Sequence, residues 1–123
     1  MQRLLIVDDK EEEQYLLKVL FEKSGYRVDF ASDGVQALAV ARAAPPDLVI
    51  SDILMPVMDG FTLCREWRND KLLFRLPFVF YTATYTDPRD EEFALKLGAD
   101  RFVVKPIEPD VLLRIVEEVL AAA

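Results

Sequence analysis

Short apolar runs alternate five times with longer stretches of helical periodicity, and no other property of the sequence narrows the fold as much. Leu4-Leu5-Ile6-Val7 is wholly apolar, as a strand covered on both faces must be. Residues 11–24 follow, with Leu16, Val19 and Leu20 on one helical face and Gly25 as a C-terminal stop. Residues 27–31 alternate polar and apolar, which suits a strand nearer an edge. Ser32 is placed to cap the next helix, where Val35, Leu38 and Ala39 share a stripe, and Ala43-Ala44-Pro45-Pro46 ends it. Leu48, Val49 and Ile50 build a third strand, then Pro56 and Gly60 mark a loop before a helix that starts near Asp59. Phe78-Val79-Phe80-Tyr81 is the fourth strand, and Asp87-Pro88 reads as an N-cap followed by proline at the first helical position, with Gly98 as the stop. Phe102-Val103-Val104 is the fifth strand. The last helix, from near Pro109, carries Leu112, Ile115, Val116, Val119 and Leu120 as one amphipathic stripe.

Strict alternation of strand and helix implies a parallel sheet with helices on both faces. Five such units suit the flavodoxin-like doubly wound (βα)5 sandwich, an α/β fold with strand order 2-1-3-4-5. The 123 residues are expected to form one domain, and with 52% of them hydrophobic they can fill a core. No apolar run is long enough to span a bilayer and no signal-peptide pattern opens the chain, so a cytoplasmic, non-membrane protein is expected. A net charge of −7 argues against direct nucleic-acid binding and favours protein partners or cations. The single cysteine, Cys64, excludes an internal disulfide, and the lack of histidine removes the commonest general base and zinc ligand. Chemistry here must rest on carboxylates, hydroxyls and lysine.

Those groups fall at strand ends. Asp8 and Asp9 follow the first strand, Asp52 the third, Thr82 the fourth and Lys105 the fifth. In a parallel sheet these ends share one edge, and ligands bind where strand order reverses, between the first and third strands. Three carboxylates gathered there repel: at about 5 Å and an effective dielectric of ~20, each pair costs roughly 3 kcal/mol. Lys105 supplies one positive charge and a divalent cation would supply the rest. Hard oxygen ligands favour magnesium, with manganese as an alternative. The set reads as a phosphoryl-transfer centre: a carboxylate attacks phosphorus, cations neutralise the equatorial oxygens, and the Thr82 hydroxyl bonds one of them.

At this point the chain resembles the receiver domain of two-component response regulators, over essentially its whole length. The motifs that carry the resemblance are Leu5-Ile6-Val7-Asp8-Asp9, Asp52-Ile53-Leu54-Met55-Pro56-Val57-Met58-Asp59-Gly60, Thr82-Ala83 and Lys105-Pro106. The resemblance implies that Asp52 is the phosphoacceptor, that Asp8, Asp9 and Asp52 hold Mg2+ with the Leu54 backbone carbonyl, and that the Lys105–Pro106 bond is cis. It implies that Thr82 and Lys105 bind the phosphoryl group and that Phe102 is the switch aromatic, coupled to a surface of the fourth helix, fifth strand and last helix. The implied partners are a sensor histidine kinase or histidine phosphotransfer protein and a downstream protein or attached effector or kinase domain; a phosphorylation-dependent dimer is a further option. The segment from Thr82 to Lys105 is about a residue longer than the resemblance leads one to expect, the excess falling in Thr84-Tyr85-Thr86.

Blander readings compete. Asp8 and Asp9 could simply cap the first helix, Asp59 is a cap before it is a metal ligand, and Phe102 could be half-buried packing. Cys64 and Trp67 read as packing, and Glu11-Glu12-Glu13 as acids placed at the positive end of a helix. A phosphohydrolase of the haloacid-dehalogenase class also uses an aspartyl nucleophile, but needs Asp-x-Asp where this chain has adjacent acids. The remaining rival is a receiver fold that binds partners without phosphorylation. The expected protein is thus a phosphoacceptor with self-catalysed phosphorylation and dephosphorylation, not a turnover enzyme. The uncapped Ala121-Ala122-Ala123 end leans toward a piece of a longer regulator or hybrid kinase.

Overall fold

Two apolar cores, one on each face of a sheet, follow directly from the alternating direction of side chains along wholly apolar strands. The computed structural model describes residues 1–123 and contains β1 (Arg3–Val7), α1 (Glu11–Lys23), β2 (Arg27–Ala31), α2 (Gly34–Ala43), β3 (Leu48–Ser51), α3 (Gly60–Arg68), β4 (Phe78–Thr82), α4 (Pro88–Leu97), β5 (Arg101–Val104) and α5 (Pro109–Ala122). All strand pairs are parallel and the order is β2-β1-β3-β4-β5, the expected flavodoxin-like doubly wound arrangement. Leu4, Ile6, Leu48, Ile50 and Val79 pack with Leu17 and Phe21 of α1 and with Leu112, Ile115, Val116 and Val119 of α5. On the other face Leu5, Val7, Val49, Phe78 and Phe80 pack with α2, α3 and Ala94 of α4. Cys64 and Trp67 belong to this second core, both fully buried.

Helix ends show which capping expectations hold. Asp59 accepts from the Thr62 N–H and Asp87 from the Arg89 N–H, with Pro88 at the first helical position, and Gly98 closes α4 at φ 114°. The cap of α2 is Asp33 rather than Ser32: Asp33 accepts from Gln36 N, while the Ser32 N–H donates to the Gln36 side chain. The residue preceding α1 is Lys10, which makes no side-chain cap, so neither Asp8 nor Asp9 caps that helix.

Two helices present a different face to the sheet from the one expected. In α1 the buried residues are Leu17 and Phe21, whereas Leu16 and Val19 are exposed. Leu16-Val19-Leu20 and Leu17-Leu20-Phe21 both satisfy helical spacing; the sheet takes the stripe with the larger side chain, since burying a phenyl ring removes more apolar surface from water. In α2 the buried set is Gly34, Ala37, Leu38 and Ala41, with Val35 left exposed. Small residues there bring the helix close to β1 and β2.

Candidate functional site

Sheet register delivers the polar residues to one place. Val7 lies opposite Ser51, so the next residues, Asp8 and Asp52, leave β1 and β3 side by side. The ladder runs on through them: Asp52 N–H donates to the Val7 carbonyl (2.9 Å) and Asp8 N–H to that of Ala31 (3.0 Å). Thr82 lies opposite Val104, and the Lys105 N–H donates to the Thr82 carbonyl (2.8 Å). Apart from Ser51, the buried polar residues of the chain are Asp8, Asp52 and Thr82, and all three stand at this edge.

The lysine ammonium holds the two buried acids together. Lys105 Nζ is 3.2 Å from Asp8 Oδ2 and 3.3 Å from Asp52 Oδ2. Each carboxylate divides its oxygens: Asp8 Oδ1 accepts from Lys10 N (2.9 Å) and Asp52 Oδ1 from Ile53 N (2.7 Å), leaving Oδ2 of both for the lysine. The ammonium also sits 5.1 Å from the centroid of the Tyr81 ring, an arrangement that favours the cation. The Lys105–Pro106 bond is cis, as expected.

Burial pushes the Asp8 carboxyl above its ordinary 3.8; the Lys10 N–H and the Lys105 charge oppose this, and the charge of Asp52 adds to it. Burial alone would lower Lys105, but Asp8, Asp52 and Glu13 together outweigh it and hold the ammonium above 10.5. Two carboxylates facing one ammonium leave an excess of buried negative charge.

Asp9 and Leu54 stand beside this group rather than within it. Both are exposed and line a shallow cleft of about 330 Å3 with Lys10, Met55, Pro56 and Thr84. No three acidic or thiol side chains are drawn round one point in a ready-made metal cage. The donors nonetheless fit a small hard cation: they are oxygens only, they carry uncompensated negative charge, and the cleft at Asp9 and Leu54 opens onto water that would complete its coordination. Asp59 is spent on its helix cap. Phe102 is half-buried, its ring 6.2 Å from that of Phe80.

Two further residues belong to the site. Glu13 Oε2 lies 3.8 Å from Lys105 Nζ, a third acid on the same ammonium rather than an anonymous member of an acidic turn. Its half-buried position among exposed Glu11 and Glu12 depends on which way α1 faces, which the spacing left open. Gly60 fixes the backbone of the acceptor: its N–H donates to the Ile53 carbonyl (2.8 Å), and a Cβ there would run into the Asp52 carbonyl oxygen and the Ile53 Cα. The signal for it was the glycine directly after the cap of α3.

Comparison with known proteins agrees with this geometry. The response regulator receiver domain profile matches residues 4–117. The chain is 36% identical over 121 residues to protein PilH of Pseudomonas aeruginosa, covering 98% of this chain and 99% of that protein. It is 41% identical over 111 residues to the alkaline phosphatase synthesis transcriptional regulatory protein PhoP of Bacillus subtilis, covering 87% of this chain but only 43% of PhoP. Among solved structures, the receiver domain of a sensor histidine kinase from Pseudomonas aeruginosa PAO1, with magnesium coordinated in its active-site cleft, superposes with a TM-score of 0.88 at 30% identity, covering 98% of each chain. No helix of the chain is long and apolar enough to cross a membrane. On sequence, fold and the meeting of Asp8, Asp52, Thr82 and Lys105 at one sheet edge, the chain belongs to the response-regulator receiver domains of two-component systems.

Proposed function

We propose that residues 1–123 work as one receiver domain in which Asp52 accepts a phosphoryl group from a phosphohistidine on a sensor kinase or histidine phosphotransfer protein. The observation that carries this reading is the Lys105 ammonium shared by two buried carboxylates, at 3.2 and 3.3 Å. An Asp52 carboxylate oxygen attacks phosphorus and forms the P–O bond of an acyl phosphate. The P–N bond to the donor imidazole breaks, its electron pair passing to the ring nitrogen, which takes up a proton. Lys105 is already within reach of the acceptor oxygen and follows the charge onto the phosphoryl group. Asp8, Asp9, Asp52 and the Leu54 carbonyl would hold Mg2+, or Mn2+ in its stead, which when bound supplies the positive charge the buried acids lack. Water later cleaves the acyl phosphate and returns the carboxylate, so the domain turns over no external substrate beyond its own phosphoryl group.

The output follows from Thr82 and Phe102. The Thr82 hydroxyl is buried and accepts from the Thr84 N–H at 3.2 Å. Turning it toward a phosphoryl group on Asp52 vacates space beside β4. Phe102, half-buried against Phe80, moves into that space and changes the α4-β5-α5 surface offered to a downstream protein, an attached effector domain or a second copy.

Incubation with magnesium and acetyl phosphate tests the reading. Intact mass is expected to rise by a single phosphoryl group in the wild type and to stay unchanged in Asp52→Asn. A wild type that gains nothing favours the passive binding module instead.

A further inference from the structure

The loop over residues 83–87, which contains the Thr84-Tyr85-Thr86 stretch where the excess length was expected, is tied down at three points. At its start the Thr84 N–H donates to Thr82 Oγ1 (3.2 Å). At its end Asp87 and Asp90 form a reciprocal capping box on α4. Between them Tyr85 reaches across to α3 and sets its ring edge-to-face on Phe61, with centroids 5.3 Å apart and planes at 71°. Phe61 is itself wedged against Phe80 (5.6 Å) and Phe93 (5.0 Å). It is also the residue after Gly60, whose backbone is pressed against that of Asp52 and Ile53. The seat of Tyr85 is therefore fixed relative to the acceptor acid, while the loop carrying Tyr85 governs the hydroxyl that must reach it.

Resting on the phosphoacceptor reading of this same site, we infer that Tyr85, seated on Phe61, is a positioning residue. It latches the loop in the arrangement where the Thr84 N–H donates to Thr82 Oγ1 and so holds that side chain in its resting rotamer. Thr82 and Tyr85 are separated by only two residues, so the Thr82 rotation that breaks the Thr84 bond is coupled to the Tyr85 ring through the short backbone of Ala83 and Thr84. The ring contact stabilises the resting arrangement, and loosening it shifts the population toward the arrangement that engages a phosphoryl group. One edge-to-face aromatic pair corresponds to about a two- to twelvefold change in such an equilibrium.

The test compares wild type, Tyr85→Ala, Tyr85→Phe, Phe61→Leu and the Tyr85→Ala/Phe61→Leu double variant in two measurements. The first is hydrogen exchange of the Thr84 amide by NMR, which needs no phosphorylation. The second is the rate of phosphorylation by acetyl phosphate with magnesium. Tyr85→Ala is expected to raise both by about two- to twelvefold. Phe61→Leu should do the same, the double variant should add nothing further, and Tyr85→Phe, which keeps the ring, should restore wild-type values. Thr84 exchange that is unchanged or slower in Tyr85→Ala, or effects that add in the double variant, overturn the latch even if Asp52 is phosphorylated. Exchange that responds as expected in a wild type that acetyl phosphate cannot phosphorylate sustains the latch as a device of the loop and refutes the phosphoacceptor reading instead.

Discussion

Asp8 is a carboxylate whose folded environment disfavours its charge even with a lysine 3.2 Å away. Its pKa is raised net of that attraction, so ionising Asp8 costs folding free energy. Below 3.8, the ordinary value, folded and unfolded chains both hold the proton and nothing is lost. As pH rises through 3.8 and on through the higher folded value, the unfolded chain releases its proton first and stability falls; above the folded value the cost is complete. Asp8→Asn is therefore expected to stabilise the domain in metal-free buffer at pH 7, read as a rise in Tm. The gain should vanish below pH 3.8, as thermal melts in chelator across that range would check. Lys105 keeps Asp52 and Glu13 as partners in that variant.

Gly60 gives a second residue-scale expectation. Gly60→Ala should cost about 1–3 kcal/mol, as overpacking against rigid backbone does. It should also slow phosphorylation by up to about a hundredfold, because the new methyl displaces the acceptor itself. Denaturant melts and a phosphorylation time course separate the two effects. Asp8, Asp52, Thr82 and Lys105 were legible in the sequence because parallel strands put their C-terminal ends on one edge whatever the details of packing. Glu13 was not, because its place depends on the rotation of α1 about its axis; Gly60 was visible after the α3 cap, but its grip on Asp52 depends on how closely α3 approaches the end of β3.

At the scale of elements, strands were easier to read than helix faces. A wholly apolar strand has both faces buried and leaves nothing to choose, whereas α1 carries apolar residues at Tyr15, Leu16, Leu17, Val19, Leu20 and Phe21. Several stripes fit that pattern, and only packing against the sheet decides between them. The two positions should behave oppositely. Leu17→Ala, at a site 6% exposed, is expected to cost about 2–4 kcal/mol. Leu16→Ala, at a site 62% exposed, should stay within about 0.5 kcal/mol, as urea titrations of both variants would check. The connection after β3 shows a different principle. Val57 stands at φ 68°, a conformation β-branched residues rarely adopt, and the Met58 N–H donates to the Pro56 carbonyl at 2.7 Å across it. This tight turn lies between the acceptor acid and Gly60, where the chain must reverse within a few residues to bring α3 back against Asp52.

Across the whole molecule the division of labour is simple. Two apolar cores hold a parallel sheet, and the edge formed by its strand C-termini gathers more negative than positive charge. The chain spans about 43% of PhoP but 99% of PilH, so the same domain accounts for nearly all of one relative and under half of another. What the edge does chemically is the central claim, and reductive trapping tests it most directly. Borohydride converts an aspartyl phosphate to homoserine, and peptide mass spectrometry then locates the converted residue. After treatment with acetyl phosphate and magnesium, homoserine is predicted at position 52 and nowhere else. Homoserine at position 8 or 9, or at no position, would contradict the assignment of Asp52 as the phosphoacceptor.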